Sequence, residues 1–434
     1  MKRFIEAELL EWKNSVRRKP LIVRGARQVG KTYSIQKFGK SMFNNLVTID
    51  LERERNLHSI FEADLNADRI LSELEVVTNE KITPKKSLLF IDEIQSCPRA
   101  IMALRYFYEE IPDLHVIAAG SLLEFSMSDI SFPVGRIQFL DMNPLTFPEY
   151  LMAIGRNEAA DIVLSPPKAV SESIHNLLLD ELKIFCFIGG MPESVKVYVE
   201  LKSLKESFSV HKELCDSFRH DFSKYTPRIG TDCVDSVLTG TAQHLGKQII
   251  YSHLTEMCTH PTIKKAFHTL CKARVINKVS SASPAGLPFK TTASSKRFKA
   301  TMVDIGLWQH LSGMDVANEY PKIDLLTVYR GAMAEQFVGQ EIFAAQNSSL
   351  YYWARSAKGS TAEVDYLAAI DGKVVPVEVK SGPSGRLRSL HLLLNTYRNC
   401  PFGLIFSSAP YSVLKEQRLK FVPLYYAYSM TKSA

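Results

Sequence analysis

The chain has 434 residues, of which 46% are hydrophobic and 23% charged, with ordinary numbers of glycines and prolines. This length allows two to four domains with cores of their own, and the composition argues against a disordered or low-complexity protein. The formal net charge of +7 permits binding to nucleic acid without requiring it.

The cysteines and the apolar runs indicate the compartment. The seven cysteines are scattered and include no CxxC pair, so we expect reduced thiols rather than a zinc ribbon or a disulfide framework. The amphipathic N-terminal helix lacks the apolar core of a signal peptide, and no apolar run is long enough to span a membrane. A cytoplasmic protein without a membrane partner is therefore predicted.

The first motif in chain order is a glycine-rich loop between a short strand, Leu21–Val23, and a helix, Thr32–Lys40. The loop reads GARQVGKT and fits the pattern GxxxxGK[ST]. Its glycines let backbone amides turn towards phosphate groups, and the helix N-terminus adds partial positive charge. We predict that the loop binds ATP through Gly25, Ala26, Arg27, Gln28, Val29, Gly30, Lys31 and Thr32.

Residues of this motif and of the next one are candidates for binding Mg²⁺ and for activating the attacking water. Lys31 can reach the outer phosphates, and the Thr32 hydroxyl can ligate Mg²⁺. The apolar run Leu88–Ile91 predicts a buried parallel strand, which delivers Asp92 and Glu93 to the carboxyl edge of the sheet. We expect Asp92 to hold Mg²⁺ and Glu93 to polarise the attacking water. Without the glycine-rich loop, two acids after such a strand would indicate an ordinary surface edge.

A parallel sheet follows from the alternation of strands and helices. A third strand, Leu114–Ala119, ends in Gly120-Ser121, and Ser121 could sense the γ-phosphate or merely cap the next helix. The pattern predicts three further elements: strands at Leu46–Asp50 and Arg136–Leu140, and a helix at Ala100–Glu110.

The middle of the chain reads mainly as helices from residue 145 to 230, with a break at Gly189-Gly190. Residues 232–290 suggest three short helices and a hairpin, in the manner of a winged helix-turn-helix. Basic residues there would suit phosphate contacts, although many winged helices bind proteins and many helix charges face solvent: Lys264, Lys265, Lys272 and Arg274.

The C-terminal part contains a hairpin with acids on both strands. Asp371-Gly372 favours a two-residue type I′ turn, which pairs Ile370 with Lys373. Asp365 then lies opposite Glu378, and period-two alternation places four charged residues on one face: Glu363, Asp365, Glu378 and Lys380. Facing carboxylates repel each other unless a divalent cation lies between them. A one-residue shift of the register would undo this arrangement.

The motifs together resemble the P-loop ATPases of the AAA-like superfamily. More narrowly, the chain is similar to bacterial and archaeal ATPases whose C-terminal domain is of the DUF4143 type, in motifs that extend over nearly its whole length: RGARQVGKT, LLFIDEIQ, AAGSLLEF, GRIQFLDMNPLTFPEYL, GGMPESV, FKATMVDIGLW, GAMAEQFVGQEI and PVEVKSG. The resemblance implies an α/β fold with a P-loop NTPase parallel sheet, a helical lid, a winged-helix segment and a C-terminal α/β restriction-endonuclease-like domain. We assign these parts to residues 1–150, 151–230, 231–290 and 291–434.

This resemblance also implies a role for Arg136. In ATPases of this kind an arginine completes the nucleotide site, either in the same chain or from a neighbouring subunit. An ordinary surface salt bridge is the alternative. AAA-like cores occur as rings, dimers and monomers, so a homo-oligomer is one of the expected states of this chain.

The hairpin itself resembles the PD-(D/E)xK nucleases, with Asp365 as the first acid and Glu378-x-Lys380 as the second motif. The resemblance implies Mg²⁺ bound by Asp365 and Glu378, a water oriented by Lys380, and a further acid, Glu335, from a preceding helix. One reading is an ATP-driven enzyme that cuts DNA. The alternatives are a nucleotide-dependent switch with an inactive nuclease fold that binds DNA or protein, and a nuclease acting on RNA.

Overall fold

The computed structural model describes residues 1–121, 123–126, 135–225, 229–313, 326–355, 361–380 and 387–432. The chain divides into two compact units, Lys2–Asn143 and Pro144–Ala434. Within the described residues, each unit contains one β-sheet, with five strands in the first and eight in the second.

The N-terminal unit is built on a parallel sheet in the order β2-β3-β4-β1-β5. Its strands are β1 (Leu21–Arg24), β2 (Asn45–Asp50), β3 (Ser87–Asp92), β4 (His115–Gly120) and β5 (Gln138–Asp141). Every residue of β3 and β4 is buried, as expected for parallel strands covered on both faces. The predicted parallel sheet is thereby confirmed, with strand limits that differ from the predicted ones by at most two residues.

Helices and one sheet enclose the core of this unit. They are α1 (Ile5–Asn14), α2 (Lys31–Met42), α3 (His58–Ala63), α4 (Ala67–Thr78), α5 (Pro98–Glu110) and α6 (Leu123–Ser126). Side chains such as Val47, Ile91 and Leu104 are fully buried between the helices and the sheet. This packing fixes the strand ends from which the P-loop and its acids project.

The C-terminal unit begins with helices, as predicted. They are α7 (Phe147–Ala153), α8 (Asn157–Leu164), α9 (Glu172–Ile188), α10 (Pro192–Leu201), α11 (Leu204–Tyr225), α12 (Thr231–Gln243), α13 (His260–Lys272) and α14 (Ile305–Leu311). Ser171 caps α9 by accepting a hydrogen bond from the amide of Ile174. Within the described ranges, none of the helices combines the length and hydrophobicity that a membrane span requires.

A mixed sheet in the order β12-β13-β11-β10-β9-β8-β6-β7 completes this unit. Its strands are β6 (Ile276–Ser281), β7 (Phe298–Met302), β8 (Leu350–Ala354), β9 (Glu363–Ile370), β10 (Lys373–Val379), β11 (Gly403–Ser407), β12 (Ser412–Leu414) and β13 (Leu419–Pro423), and its later helices are α15 (Leu326–Gln346), α16 (Arg388–Thr396) and α17 (Ala427–Thr431). The antiparallel pair β6–β7 follows α13 and joins the large sheet through β8. The hairpin expected after the basic helix is therefore part of the same sheet as the acidic hairpin β9–β10.

The cysteines differ from the prediction in one respect. Cys233 in α12 is joined to Cys258 in a disulfide, with a Cα–Cα distance of 6.2 Å. This Cα–Cα distance is within the range that a disulfide can bridge. The two cysteines are 25 residues apart in sequence, and motif spacing does not predict a pair so far apart. The other five cysteines are free thiols.

Candidate nucleotide site and carboxylate cluster

The P-loop leaves the carboxyl end of β1 and turns directly into α2. Gln28 and Gly30 have φ values of 64° and 94°, so two left-handed residues lie within the loop. Glycine adopts such angles without strain, whereas the backbone of Gln28 is strained by them. Alternating left-handed residues point successive amides inward, which is the arrangement that binds phosphate oxygens. The six residues Gly25 to Gly30 thus precede the α2 N-terminus as the motif requires.

Lys31 and Thr32 are the first two residues of α2, and their side chains reach different partners. The Lys31 ammonium is buried and donates to the carbonyl oxygens of Gly25 at 3.0 Å and Ala26 at 2.9 Å. The Thr32 hydroxyl donates to Asp92 Oδ2 at 2.7 Å. This last bond joins two motifs that are 60 residues apart in sequence.

Asp92 and Glu93 lie where β3 ends. Asp92 is buried, and burial raises the pKa of its carboxyl group despite the hydrogen bonds from Thr32 and the Glu93 amide. Burial likewise raises the pKa of Glu93, whose carboxylate accepts a hydrogen bond from the Gln95 side chain. A bound cation would offset the cost of the buried Asp92 charge, and hydroxyl and carboxylate oxygens are ligands that Mg²⁺ prefers. The residues therefore fit Mg²⁺ at Thr32 and Asp92.

Ser121 follows the last residue of β4. Because β4 lies between β1 and β3 in the sheet, Ser121 comes off the edge between the P-loop and Asp92. The residue is buried. Its position suits a contact to the γ-phosphate or the attacking water, and that role stays a prediction.

Arg136 does not lie near the P-loop of its own chain. It precedes β5, which runs parallel to β1 with Leu21 beside Gln138, whereas the P-loop follows the other end of β1. Arg136 is thus at the amino edge of the sheet and the P-loop at the carboxyl edge. Its guanidinium bonds Glu109 at 2.7 Å and is half exposed. The structure does not bring Arg136 to the P-loop of the same chain. Its ion pair with Glu109 matches the predicted surface salt bridge, and a role in a neighbouring subunit stays a prediction.

The acidic hairpin has the predicted register. Ile370 pairs with Lys373 and Tyr366 with Val377. Asp371 and Gly372 have φ values of 49° and 70°, as a type I′ turn demands. The next facing pair in this register is Asp365 and Glu378, so both carboxylates lie on the same face.

Asp365 and Glu378 are held by different partners. Asp365 Oδ2 accepts from the Val379 amide at 2.7 Å, and Glu378 Oε1 accepts from the Lys380 ammonium at 2.6 Å. Glu378 Oε2 is buried and has no hydrogen-bond partner among the described residues. Burial raises the pKa of Glu378 to about 7, and the charge of Asp365 adds to the effect.

Lys299 of β7 is a member of this cluster that sequence reasoning missed. Its ammonium contacts Glu363, lies 3.0 Å from Glu335 Oε1 and 4.0 Å from Asp365 Oδ1. The side chain is only 2% exposed. Burial opposes its charge, but Glu335, Asp365 and Glu363 together raise the pKa of Lys299. Burial raises the pKa of Glu335 to about 8, although Lys299 pulls it down.

Two carboxylate oxygens in the cluster could bind a metal. Glu378 Oε2 is buried without a partner among the described residues and needs a donor or a cation. Asp365 Oδ1 lies 4.0 Å from the Lys299 ammonium, too far for a hydrogen bond. In the part of the chain described, no three His, Cys, Asp or Glu side chains converge as a metal site. Mg²⁺ commonly binds through one or two carboxylates and keeps several waters, so this pair fits Mg²⁺.

Helix α13 places a row of basic residues on one face. Lys264, His268 and Lys272 are four residues apart and exposed, so they lie above one another. Burial lowers the pKa of His268, and the positive charges of Lys278 on β6, Lys264 and Lys272 lower it further. These four residues, named the α13 stripe below, form one basic surface.

Three family models match the chain. An AAA domain matches residues 17–151, a domain of unknown function named DUF8612 matches residues 179–318, and another named DUF4143 matches residues 330–426. The first match contains the P-loop, Asp92 and Glu93, and the third contains Glu335 and the acidic hairpin. No curated protein is detectably similar to the chain.

Solved structures with some similarity include an ATPase and a protein bound to AMPPCP. A Walker-type ATPase of Pyrococcus abyssi, PABY2304, is 16% identical, with 71% of this chain and 95% of that chain covered and a TM-score of 0.45. A single-residue variant of RuvB from Thermotoga maritima is 14% identical, with 64% and 87% covered and a TM-score of 0.27. AMPPCP-bound DnaA of Aquifex aeolicus is 11% identical, with 62% and 86% covered and a TM-score of 0.25. Similarities this low assign no function.

Proposed function

We propose that this chain, which joins an N-terminal AAA-type P-loop ATPase domain to a C-terminal DUF4143 domain, hydrolyses ATP and cuts DNA at its acidic hairpin. The proposal assigns ATP and Mg²⁺ to the first domain and a second Mg²⁺ to Asp365 and Glu378. The proposal does not fix the oligomeric state. In a homo-oligomer, Arg136 would contact the nucleotide bound to a neighbouring subunit.

ATP hydrolysis is supported most directly by the hydrogen bond between Thr32 and Asp92. The P-loop amides and Lys31 would hold the phosphates, with Lys31 exchanging its two loop carbonyls for phosphate oxygens. Mg²⁺ bound at this site would neutralise charge on the phosphates. Glu93, whose raised pKa makes it a stronger base, would accept a proton from the water that attacks the γ-phosphorus.

Phosphodiester cleavage is supported by the paired carboxylates and the buried Glu378 Oε2. Mg²⁺ held there would polarise the phosphate and lower the pKa of a bound water. Lys380, hydrogen-bonded to Glu378, would orient that water and stabilise the developing negative charge.

Binding of a nucleic-acid backbone is supported by the α13 stripe, which would contact the phosphates of DNA and RNA alike. Besides burial, its three lysines each lower the pKa of His268, so their positive charges lie around that imidazole and repel its protonated form. A row of phosphates would relieve that repulsion. The net charge of +7 acts in the same direction at long range.

The ATPase part is tested with Lys31→Ala. We expect ATP turnover to be lost while the far-UV circular dichroism spectrum and melting temperature are kept. Unchanged turnover would refute the P-loop assignment.

The cleavage part is tested on plasmid, linear duplex, single-stranded DNA and RNA, with Mg²⁺ or Mn²⁺ and with or without ATP. We expect cutting of DNA by the wild type and none by Glu378→Ala or Lys380→Ala. Lys373→Ala, at the exposed start of β10, is the matched control and should cut normally. Cutting that persists in both site variants would refute the assignment.

A nucleotide-dependent switch is the second candidate function. Its specific support is Lys299, a cation already in contact with the carboxylates of the hairpin. In this case the nuclease fold would bind DNA or protein without cutting it. An active ATPase that cuts none of the substrates, yet binds one of them in a nucleotide-dependent way, would favour the switch.

A further inference from the structure

The carboxylate cluster brings together acids from two elements around one buried lysine. Glu335 comes from α15, Glu363 and Asp365 come from β9, and Lys299 comes from β7. The Lys299 ammonium contacts Glu335 and Glu363 more closely than Asp365. Its side chain also passes over the Tyr352 ring, with the ammonium 5.2 Å from the ring centre.

The two halves of the cluster differ in what neutralises them. Glu335 and Glu363 have the protein's own cation at contact distance. Asp365 Oδ1 has it only at 4.0 Å, and Glu378 Oε2 is buried without a partner in the described part of the chain. A buried carboxylate oxygen without a donor costs free energy that a bound cation recovers.

We propose that Lys299 is a positioning residue that occupies the place of a second metal ion, so that the cluster binds one divalent cation, at Asp365 and Glu378. Lys299 holds Glu335 and Glu363 and leaves Asp365 Oδ1 available beside Glu378. Even if all four carboxyl groups are ionised, the ammonium groups of Lys299 and Lys380 leave no more negative charge than one divalent ion balances. This inference rests on the proposed metal site and adds its stoichiometry.

Mn²⁺ binding to the full chain tests the stoichiometry, because electron paramagnetic resonance measures free Mn²⁺ directly. The background variant Asp92→Asn removes the carboxylate from the proposed metal ligands of the nucleotide site, and nucleotide is omitted. We expect one bound Mn²⁺ per chain, lost in Asp365→Asn and in Glu378→Gln. Two ions at the cluster would overturn the inference and leave the proposed function intact. No bound ion would refute the proposed metal site itself.

Variants of Lys299 test whether its charge sets this number. Lys299→Met should admit a second Mn²⁺, and Lys299→Met/Glu335→Gln should return to one because a ligand of the second ion is gone. Lys299→Arg keeps the charge and should bind one. A single ion in a folded Lys299→Met would overturn the inference. If that variant melts below the assay temperature, Lys299→Gln replaces it, because glutamine removes the charge and can still donate hydrogen bonds to Glu335 and Glu363. It should likewise admit a second Mn²⁺, and a single ion there would overturn the inference.

Discussion

Glu93 is the residue on which activation of the attacking water should depend. It is the first residue after β3, and both burial and Asp92 raise the pKa of its carboxyl group. Glu93→Gln keeps the size and the hydrogen bonding to Gln95 but cannot accept a proton. We expect kcat for ATP to fall about 10²- to 10⁴-fold, with nucleotide affinity nearly unchanged. Steady-state hydrolysis and fluorescent-nucleotide titration measure the two quantities.

Glu73→Gln is the control for this change. Glu73 lies on α4, pairs with Arg69 at the surface and belongs to the same unit. Its replacement should leave kcat unchanged. A Glu93→Gln protein that hydrolyses ATP at the normal rate would mean that another group activates the water.

His211 should make the stability of the protein sensitive to acid. It is fully buried on α11, and burial lowers its pKa to about 3, against about 6.5 in an unfolded chain. Between these values the unfolded state binds more protons, so the free energy of unfolding falls as the pH falls. From pH 7 to pH 5 this loss is about 2 kcal/mol.

Replacing His211 isolates that contribution. In His211→Gln, the difference between urea unfolding free energies at pH 7 and pH 5 should shrink by about 2 kcal/mol relative to wild type. The exposed His253 provides the control His253→Gln, which should leave the difference unchanged. Equal pH dependence in all three proteins would show that His211 titrates normally.

At the scale of the element, the turn of β9–β10 sets the register that brings Asp365 to Glu378. Gly372 has a φ of 70°, and a Cβ added there would meet no atom within 4 Å. Gly372→Ala therefore tests backbone strain alone, and we expect a loss of about 1 kcal/mol in the free energy of unfolding. Gly286, which also has open space but no positive φ, supplies the control Gly286→Ala. Equal effects in urea unfolding would contradict the role of the turn.

Local patterns predicted those elements whose chemistry is contiguous in sequence. The P-loop, the buried strand before Asp92 and the turn at Asp371-Gly372 each follow from a few neighbouring residues and their backbone angles. The facing of Asp365 and Glu378 followed from the turn because strand periodicity extends a register without further information.

Long-range pairing explains what the sequence did not predict. Lys299 is 36 residues from Glu335 and 64 from Glu363 and belongs to another strand, so no spacing rule connects them. The β6–β7 pair enters the large sheet through a parallel contact to β8, which local patterns do not encode. The position of Arg136, in contrast, follows from strand direction alone. Arg136 precedes its strand and therefore lies at the amino edge of the parallel sheet, whereas the P-loop follows its strand at the carboxyl edge.

For the whole molecule, the question is whether DNA senses the total charge or the α13 stripe. Replacing Lys264 and Lys272 with Gln removes two charges from the stripe. Replacing Lys183 and Lys196, which pair with Asp180 and Glu200 on α9 and α10, removes the same charge elsewhere. If the stripe contacts phosphates, only the replacement of Lys264 and Lys272 should reduce the slope of the logarithm of the DNA-binding constant against the logarithm of the salt concentration. For duplex DNA we expect a reduction of about 2. Fluorescence anisotropy over a range of salt concentrations measures the slope. Equal reductions in both pairs would assign binding to the overall charge, and no reduction in either would place the DNA contact on another surface.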